Sequence, residues 1–114
     1  MKWLVTGAGG QLGADLVAVL DGVLAGESVV APTRTELDVT QPDAVAAAVA
    51  DVDVVLNAAA WTDVDGAEGN PAAADAVNAS APGQLAAACA ASGATLVHVS
   101  TDYVFAGDAT APYR

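Results

Sequence analysis

Three features of the sequence predict an α/β fold, a parallel sheet wound with helices on both faces. Short strand-like runs alternate with helical stretches along the whole chain. The strand runs are apolar throughout, as strands buried on both faces are. The first of them ends in glycines spaced three apart that open directly into a helix. The crossovers between parallel strands should be right-handed.

The elements can be taken in order. "KWLVT" (2–6) is a short apolar run ended by glycines and reads as a buried strand. In "QLGADLVAVLDG" (11–22), Leu12, Leu16, Val19 and Leu20 recur at helical spacing, and Gly22 is a stop signal. "SVVA" (28–31) is a second strand, ended by Pro32, and "ELDV" (36–39) is expected to be a short third. Thr40 with Asp43 three residues on has the form of a capping box, and Pro42 suits the first turn of a helix over 41–50. "DVVLNAA" (53–59) is the next strand, and "WTDVDGAEGNP" (61–71) reads as a polar loop. The stretch 71–92 reads as one long helix with a kink at Pro82 and Gly83, ended by Gly93. "ATLVHVS" (94–100) is the last, fifth strand. No internal repeat, low-complexity tail or linker divides the chain, so residues 1–114 form one domain.

Composition narrows the function classes. Of the 114 residues, 54% are hydrophobic, which is globular composition rather than disorder. The net charge of −11 disfavours nucleic acid and anionic membrane as partners. It leaves room for an anionic small ligand held by backbone N–H groups at a helix start. No apolar run reaches the ~18 residues of a membrane span, and "MKWLVTGAGG" is too briefly apolar for a signal peptide. A cytoplasmic protein is the expectation. The single cysteine, Cys89, excludes an internal disulfide and a cysteine metal site, and is expected as a small buried apolar residue.

The glycine turn carries the first functional signal. In "VTGAGGQLG", Gly7 permits a tight turn, Gly10 lets a pyrophosphate approach the backbone, and Gly13 lets the helix pack close to the sheet. The free N–H groups and the positive end of the helix then favour phosphates. This is a Rossmann-type dinucleotide-binding arrangement, and NADPH or NADH is the expected cofactor. Strand two ends without an acidic residue to grip a ribose 2′-hydroxyl, and Arg34 follows it, so NADPH should serve at least as well as NADH. Ala58, Ala59 and Ala60 at a strand end would let a flat cofactor lie against the backbone. Thr6, Asn57 and the cluster Ser100 to Tyr103 also fall at carboxyl strand ends, where ligands of such sheets bind.

"GGQLG" (9–13), "NAAAWTDVDGAE" (57–68) and "HVSTDYVFAG" (98–107) together resemble the dTDP-4-dehydrorhamnose reductases, members of the extended short-chain dehydrogenase/reductases. The resemblance runs from Lys2 to Tyr113. Trp61 stands at an aromatic position usually held by Tyr or His. The resemblance implies reduction of the 4-keto group of a dTDP-linked deoxysugar. It also implies roles. Gly10, Gln11 and Leu12 would cradle the pyrophosphate. Thr33 and Arg34 would lie beside the adenosine ribose, with Asp38 and Val39 at the adenine. Ala59, Ala60, Trp61 and Thr62 would line the dinucleotide path, with Val99 under the nicotinamide. Thr101 would be the catalytic hydroxyl, and Asp102 would contact the sugar nucleotide. A strand-end hydroxyl bonded to nearby backbone is the other reading of Thr101.

Other polar residues are expected to be structural. Asn57 should tie neighbouring strands together, Asn78, in the long helix, is expected to be structural and not catalytic, and His98 should be a hydrogen-bonded strand residue. Asp63, Asp65 and Glu68 read as a solvated loop and not a metal site.

Reduction in this superfamily pairs the hydroxyl with a Tyr-x-x-x-Lys motif whose tyrosine donates the proton. The one lysine here is Lys2, so neither Tyr103 nor Tyr113 has such a partner. The chain therefore reads as the N-terminal portion of such a reductase, binding cofactor without catalysis. Two other readings stay open: an epimerase or ketoreductase for another nucleotide sugar, and a non-catalytic dinucleotide-binding regulatory module. With no helix after the last strand, the face around Leu96, Val97 and Val99 is expected to be partly uncovered, which leaves a homodimer open.

Overall fold

The computed structural model describes all 114 residues. Its sheet has four parallel strands, β1 (Lys2–Thr6), β2 (Ser28–Val30), β3 (Val54–Asn57) and β4 (Thr95–His98), in the order β2-β1-β3-β4. The helices are α1 (Gln11–Val23), α2 (Pro42–Val49), α3 (Val64–Gly69), α4 (Pro71–Asp75) and α5 (Ala81–Ser92). The chain steps from β1 outward to β2, then returns across to β3 on the other side. This reversal parts the loops that follow β1 and β3 and opens a crevice at their carboxyl ends.

Side-chain alternation assigns the two faces. Leu4, Val55 and Leu96 lie in one register row. Leu4 and Val55 are buried with Leu37, with Val45 and Val49 of α2, and with Leu85 and Cys89 of α5, and Leu96 packs against this cluster. Cys89 is thus a small apolar core residue, and burial pushes its thiol pKa up. The next row, Val5, Leu56 and Val97, points to the opposite face. There α1 lies against β1 and β2, and Val5 is fully buried. Toward β4 the cover ends: Val97 is 48% exposed and Val99 50%. Leu96 does not belong to that open face, because alternation turns it toward α5.

Several sequence expectations are corrected. Residues 36–39 form no strand. Leu37 and Val39 are buried as alternation requires, but the carboxylates between them bind local groups. Glu36 accepts from the Thr33 N–H and hydroxyl, and Asp38 from those of Thr40. Local bonds of this kind compete with a sheet ladder. The sheet accordingly has four strands, not five. The Thr40–Asp43 capping box is also absent. Gln41, not Thr40, is the N-cap of α2 and makes no side-chain cap bond, and the Thr40 hydroxyl donates to Asp38. Pro42 does begin α2.

The presumed loop 61–71 contains α3, whose N-cap Asp63 accepts from the Gly66 N–H. The long helix is interrupted before Pro82, not at it. A π turn spans Ala76–Ser80, with the Ala81 N–H reaching back to the Ala76 carbonyl. Pro82 has no N–H for the carbonyl four residues back, and its ring crowds that carbonyl, so the preceding turn widens. Gly93 ends α5 in the left-handed region (φ 81°), with its N–H on the Cys89 carbonyl. No helix is long and apolar enough to cross a membrane.

Burial separates two truncations. Leu85→Ala empties a fully buried site and should cost about 2–5 kcal/mol. Val97→Ala, on the open face, should cost under about 1 kcal/mol. Chemical denaturation of both variants checks the contrast, and equal losses would mean the Val97 face is covered.

Candidate functional site

The crevice has three walls. The first is the turn after β1. Gly7 has φ 69°, and a Cβ there would stand 2.6 Å from the Ala59 nitrogen and 2.7 Å from the Ala58 carbonyl carbon. No other residue fits. The Gly10 N–H bonds the Gly7 carbonyl at 2.9 Å. A Cβ on Gly13 would overlap that same carbonyl oxygen, so α1 seats directly on the turn. At Gly10 a Cβ would meet only the Gly7 oxygen, at 3.3 Å, and the space above is otherwise open. Gly10 is the N-cap of α1 without a side-chain cap, and no acidic residue lies in the first turn. The N–H groups of Gln11, Leu12 and Gly13 therefore present an uncovered positive helix end.

The second wall is the turn between β2 and α2. Asp38 Oδ1 accepts from the Thr40 hydroxyl (2.7 Å) and N–H (2.9 Å). These bonds, and after them the Arg34 charge, hold its carboxyl below the usual carboxylate range. Its other oxygen, Oδ2, has no protein partner. Arg34 is a cation on this wall, whereas Lys2 pairs with Asp51 and the N-terminal amine with Glu27. Glu36 is likewise held low, by the Thr33 N–H and then its hydroxyl.

The third wall follows β3. Asn57 is 2% exposed and bridges three strands, taking the Thr6 hydroxyl on Oδ1 (2.5 Å) and placing Nδ2 2.9 Å from His98 Nδ1. Asn57 and His98 thus have the structural roles expected of them. Beyond Asn57, the Ala58 N–H bonds the Thr6 carbonyl at 3.2 Å. Trp61 is latched at both backbone groups: its N–H donates to Asn78 Oδ1 (2.8 Å), and its carbonyl accepts from Asn78 Nδ2 (3.0 Å). The indole N–H donates to the Asp63 carbonyl at 2.7 Å. The π turn presents Asn78 to this loop, so the structural role expected of Asn78 is seen as well.

The walls enclose a cleft of about 380 Å³. Of the residues singled out from sequence, it is lined by Gly7, Gly10, Arg34, Asp38, Val39, Ala59, Ala60, Trp61 and Thr62. Ala58, Leu37, Asp63 and Val77 complete the lining. The last three were missed as site residues. Leu37 and Val77 carry no chemical signal, and Asp63 showed only as loop charge. Gln11, Leu12 and Gly13 sit beside the cleft in the first turn of α1. Thr33 is outside it, its hydroxyl spent on Glu36 and Thr35. Val99, Thr101 and Asp102 are exposed beyond β4 and do not line it. Thr101 caps a 3-10 turn, Asp102–Val104: its Oγ1 accepts from the Tyr103 N–H and donates to Asp102, both at 3.3 Å.

A parallel sheet that reverses at a glycine turn, with its crevice at the carboxyl strand ends, defines a Rossmann-type nucleotide-binding domain. More narrowly, the chain belongs to the family described as the RmlD substrate binding domain, whose model matches residues 1–114. It is 53% identical over 107 residues to the dTDP-4-dehydrorhamnose reductase of Mycobacterium tuberculosis (strain ATCC 25618 / H37Rv), covering 94% of this chain and 34% of that protein. The crystal structure of a dTDP-4-dehydrorhamnose reductase from Clostridium acetobutylicum ATCC 824 superposes with a TM-score of 0.90. It is 41% identical, covering 99% of this chain and 40% of that one. The Bacillus anthracis str. Ames reductase in complex with NADP gives a TM-score of 0.87 at 34% identity, covering 96% and 39%. The chain therefore spans little more than a third of the length of these relatives.

The depressed carboxylate fixes a pH sign. A folded pKa below the unfolded one stabilises the turn above the ordinary carboxylate value of about 4, and that stabilisation is lost as pH falls through the lowered value. Carboxyl-carbon NMR should show Asp38 titrating below an ordinary aspartate, and Thr40→Val should move its midpoint upward. An unmoved midpoint would show that Thr40 is not the cause.

Proposed function

We propose that this chain is the cofactor-binding domain of a reductase that uses NADPH or NADH to reduce the 4-keto group of a dTDP-linked sugar, dTDP-4-dehydro-L-rhamnose, to dTDP-L-rhamnose. The observation that carries the reading is the cleft where the Gly7–Gly10 turn meets the Ala58–Ala60 backbone, in a chain about half identical to reductases of that name. The residues suit a dinucleotide. A Cβ at Gly7 would strike the Ala58–Ala59 backbone, and a Cβ at Gly10 would meet only the Gly7 oxygen, so the space above the turn is open. The glycine turn is uncapped, the alanines keep the opposite wall low, and a cation stands at the far end.

When bound, the dinucleotide supplies a hydride. The N–H groups of Gln11, Leu12 and Gly13 bind its pyrophosphate. Arg34 pairs with a ribose 2′-phosphate by charge-assisted bonds. Asp38 Oδ2 accepts from the adenine amino group while Oδ1 remains on Thr40. Val39, Trp61 and Thr62 enclose the same path, and Val99 supports its nicotinamide end. The Thr101 hydroxyl orients the ketone, and Asp102 contacts the sugar nucleotide. These 114 residues contain no Tyr-x-x-x-Lys pair to deliver the proton, so the chain alone binds cofactor without turning it over.

Two measurements test the reading. Arg34→Ala should weaken NADPH binding roughly tenfold or more, the worth of a hydrogen bond to a charged group, and leave NADH nearly unchanged. A tenfold preference of the unmodified protein for NADH, about 1.4 kcal/mol, would remove the 2′-phosphate assignment. In a complete reductase, Thr101→Val should lower turnover by more than about tenfold with little change in NADPH affinity. Undiminished turnover would leave Thr101 as the cap of its 3-10 turn and nothing more.

A further inference from the structure

We propose that His98 is a positioning residue for the cleft: through Asn57 it holds the Ala58–Ala60 backbone against Gly7, and protonation of its imidazole releases that hold. The inference rests on the cofactor reading only for what the cleft binds. The hydrogen bonds force each assignment in turn. The Ala59 N–H can only donate, and it points at one atom of the Asn57 amide at 3.2 Å, so that atom is the oxygen. The Thr6 hydroxyl donates to the same oxygen. Nδ2 must then face His98, and Nδ1 of the imidazole must accept. In a neutral ring so placed, the proton lies on Nε2. A protonated imidazole carries N–H on both nitrogens and would set a donor against the Asn57 NH2.

Asn57 cannot resolve that clash by flipping. A flipped amide would turn its NH2 onto the Ala59 N–H. Nor can it withdraw from His98 freely, because Asn57 is buried and an unpaired buried amide is costly. A protonated ring, being exposed, turns away into solvent, and Asn57 loses the partner that fixes its amide toward the Ala59 N–H. The Ala59 nitrogen is the atom a Cβ on Gly7 would meet first, so the coupling runs from an exposed imidazole to the floor of the cleft. Other charges do not obscure it. β3 (VVLN) has no titratable side chain, and α5 has only the buried Cys89 thiol. Asp102 follows β4 and is engaged with Thr101.

The full 114-residue chain has one histidine, so its ring nitrogen signals are unambiguous. Nitrogen NMR at about pH 8 should show the Nε2–H tautomer, and lowering the pH to about 5.5 should shift the Ala59 amide in step with the imidazole. His98→Asn keeps an acceptor near the Nδ1 position and cannot titrate. It should retain the Ala59 resonance and lose its pH response. His98→Leu should displace that resonance at every pH. NADPH should bind the wild type roughly threefold to tenfold more weakly at the acid end than it binds His98→Asn, the range one hydrogen bond spans. The comparison cancels the titration of the cofactor's own phosphate. An Nδ1–H tautomer, or an Ala59 amide indifferent to His98, would overturn the proposal. Ala59 coupling without any NADPH binding would support the ladder and remove the cofactor reading instead.

Discussion

The structure depends on one close approach, the backbone of Gly7 lying against that of Ala58 and Ala59. The loops after β1 and β3 meet there with no side chain between them. Because they meet, α1 can begin at once and seat Gly13 on the Gly7 carbonyl. Because the far loop is low, a crevice remains above. The contact also links the two halves of the sheet on either side of the reversal, so the core beneath it and the cleft above it share a floor. In this molecule the polar bridge Thr6–Asn57–His98 runs directly below, at the end of the parallel ladder. A buried asparagine is costly unless fully bonded, and here its oxygen takes two donors while its nitrogen serves the third strand.

Charge is arranged economically around this floor. The molecule is strongly acidic, with three Lys and Arg residues against fourteen Asp and Glu. Lys2 is engaged with Asp51 on the surface, and the amino terminus with Glu27. Arg34 stands at the cleft. For an anion approaching a negative body, attraction is thus local, coming from one guanidinium and the N–H groups of one helix start. Local charge of that kind steers and orients an approaching anion.

How much was legible in the sequence differed by element. The glycine turn, the apolar strands and the alanine run were readable because each position is set by backbone geometry, and residue type reports it directly. Gly7, Gly10, Ala58, Ala59 and Ala60 of the cleft could be named that way, whereas Asp38, Val39, Trp61 and Thr62 were named through the family resemblance. Residues 36–39 were misread because alternation records burial, not hydrogen bonding, and Glu36 and Asp38 took the local bonds instead. The helix Val64–Gly69 was hidden because its apolar content is slight and its cap is an aspartate within an acidic run. The shift of the helix break upstream of Pro82 was invisible because proline acts on the carbonyl four residues earlier. Thr101 shows a different limit. Its neighbours make the motif recognisable, yet its hydroxyl bonds only within its own turn, to Asp102 and the Tyr103 N–H.

The π turn at Ala76–Ser80 has a consequence for how this chain tolerates change in length. A π turn is one residue more than a regular helix needs. Removing a single residue from this turn would take out the extra residue and leave Pro82 facing a turn of regular width, which its ring crowds. It would also rotate everything on one side of the deletion by about 100° relative to the other. With Ala81, Leu85 and Cys89 anchored in the core, the slip would fall on the upstream side. Val77 would leave the cleft wall, and Asn78 would no longer face both backbone groups of Trp61. The irregular turn thus acts as a phase adjuster: it lets one helix satisfy two surfaces that a constant 3.6-residue period could not reach together.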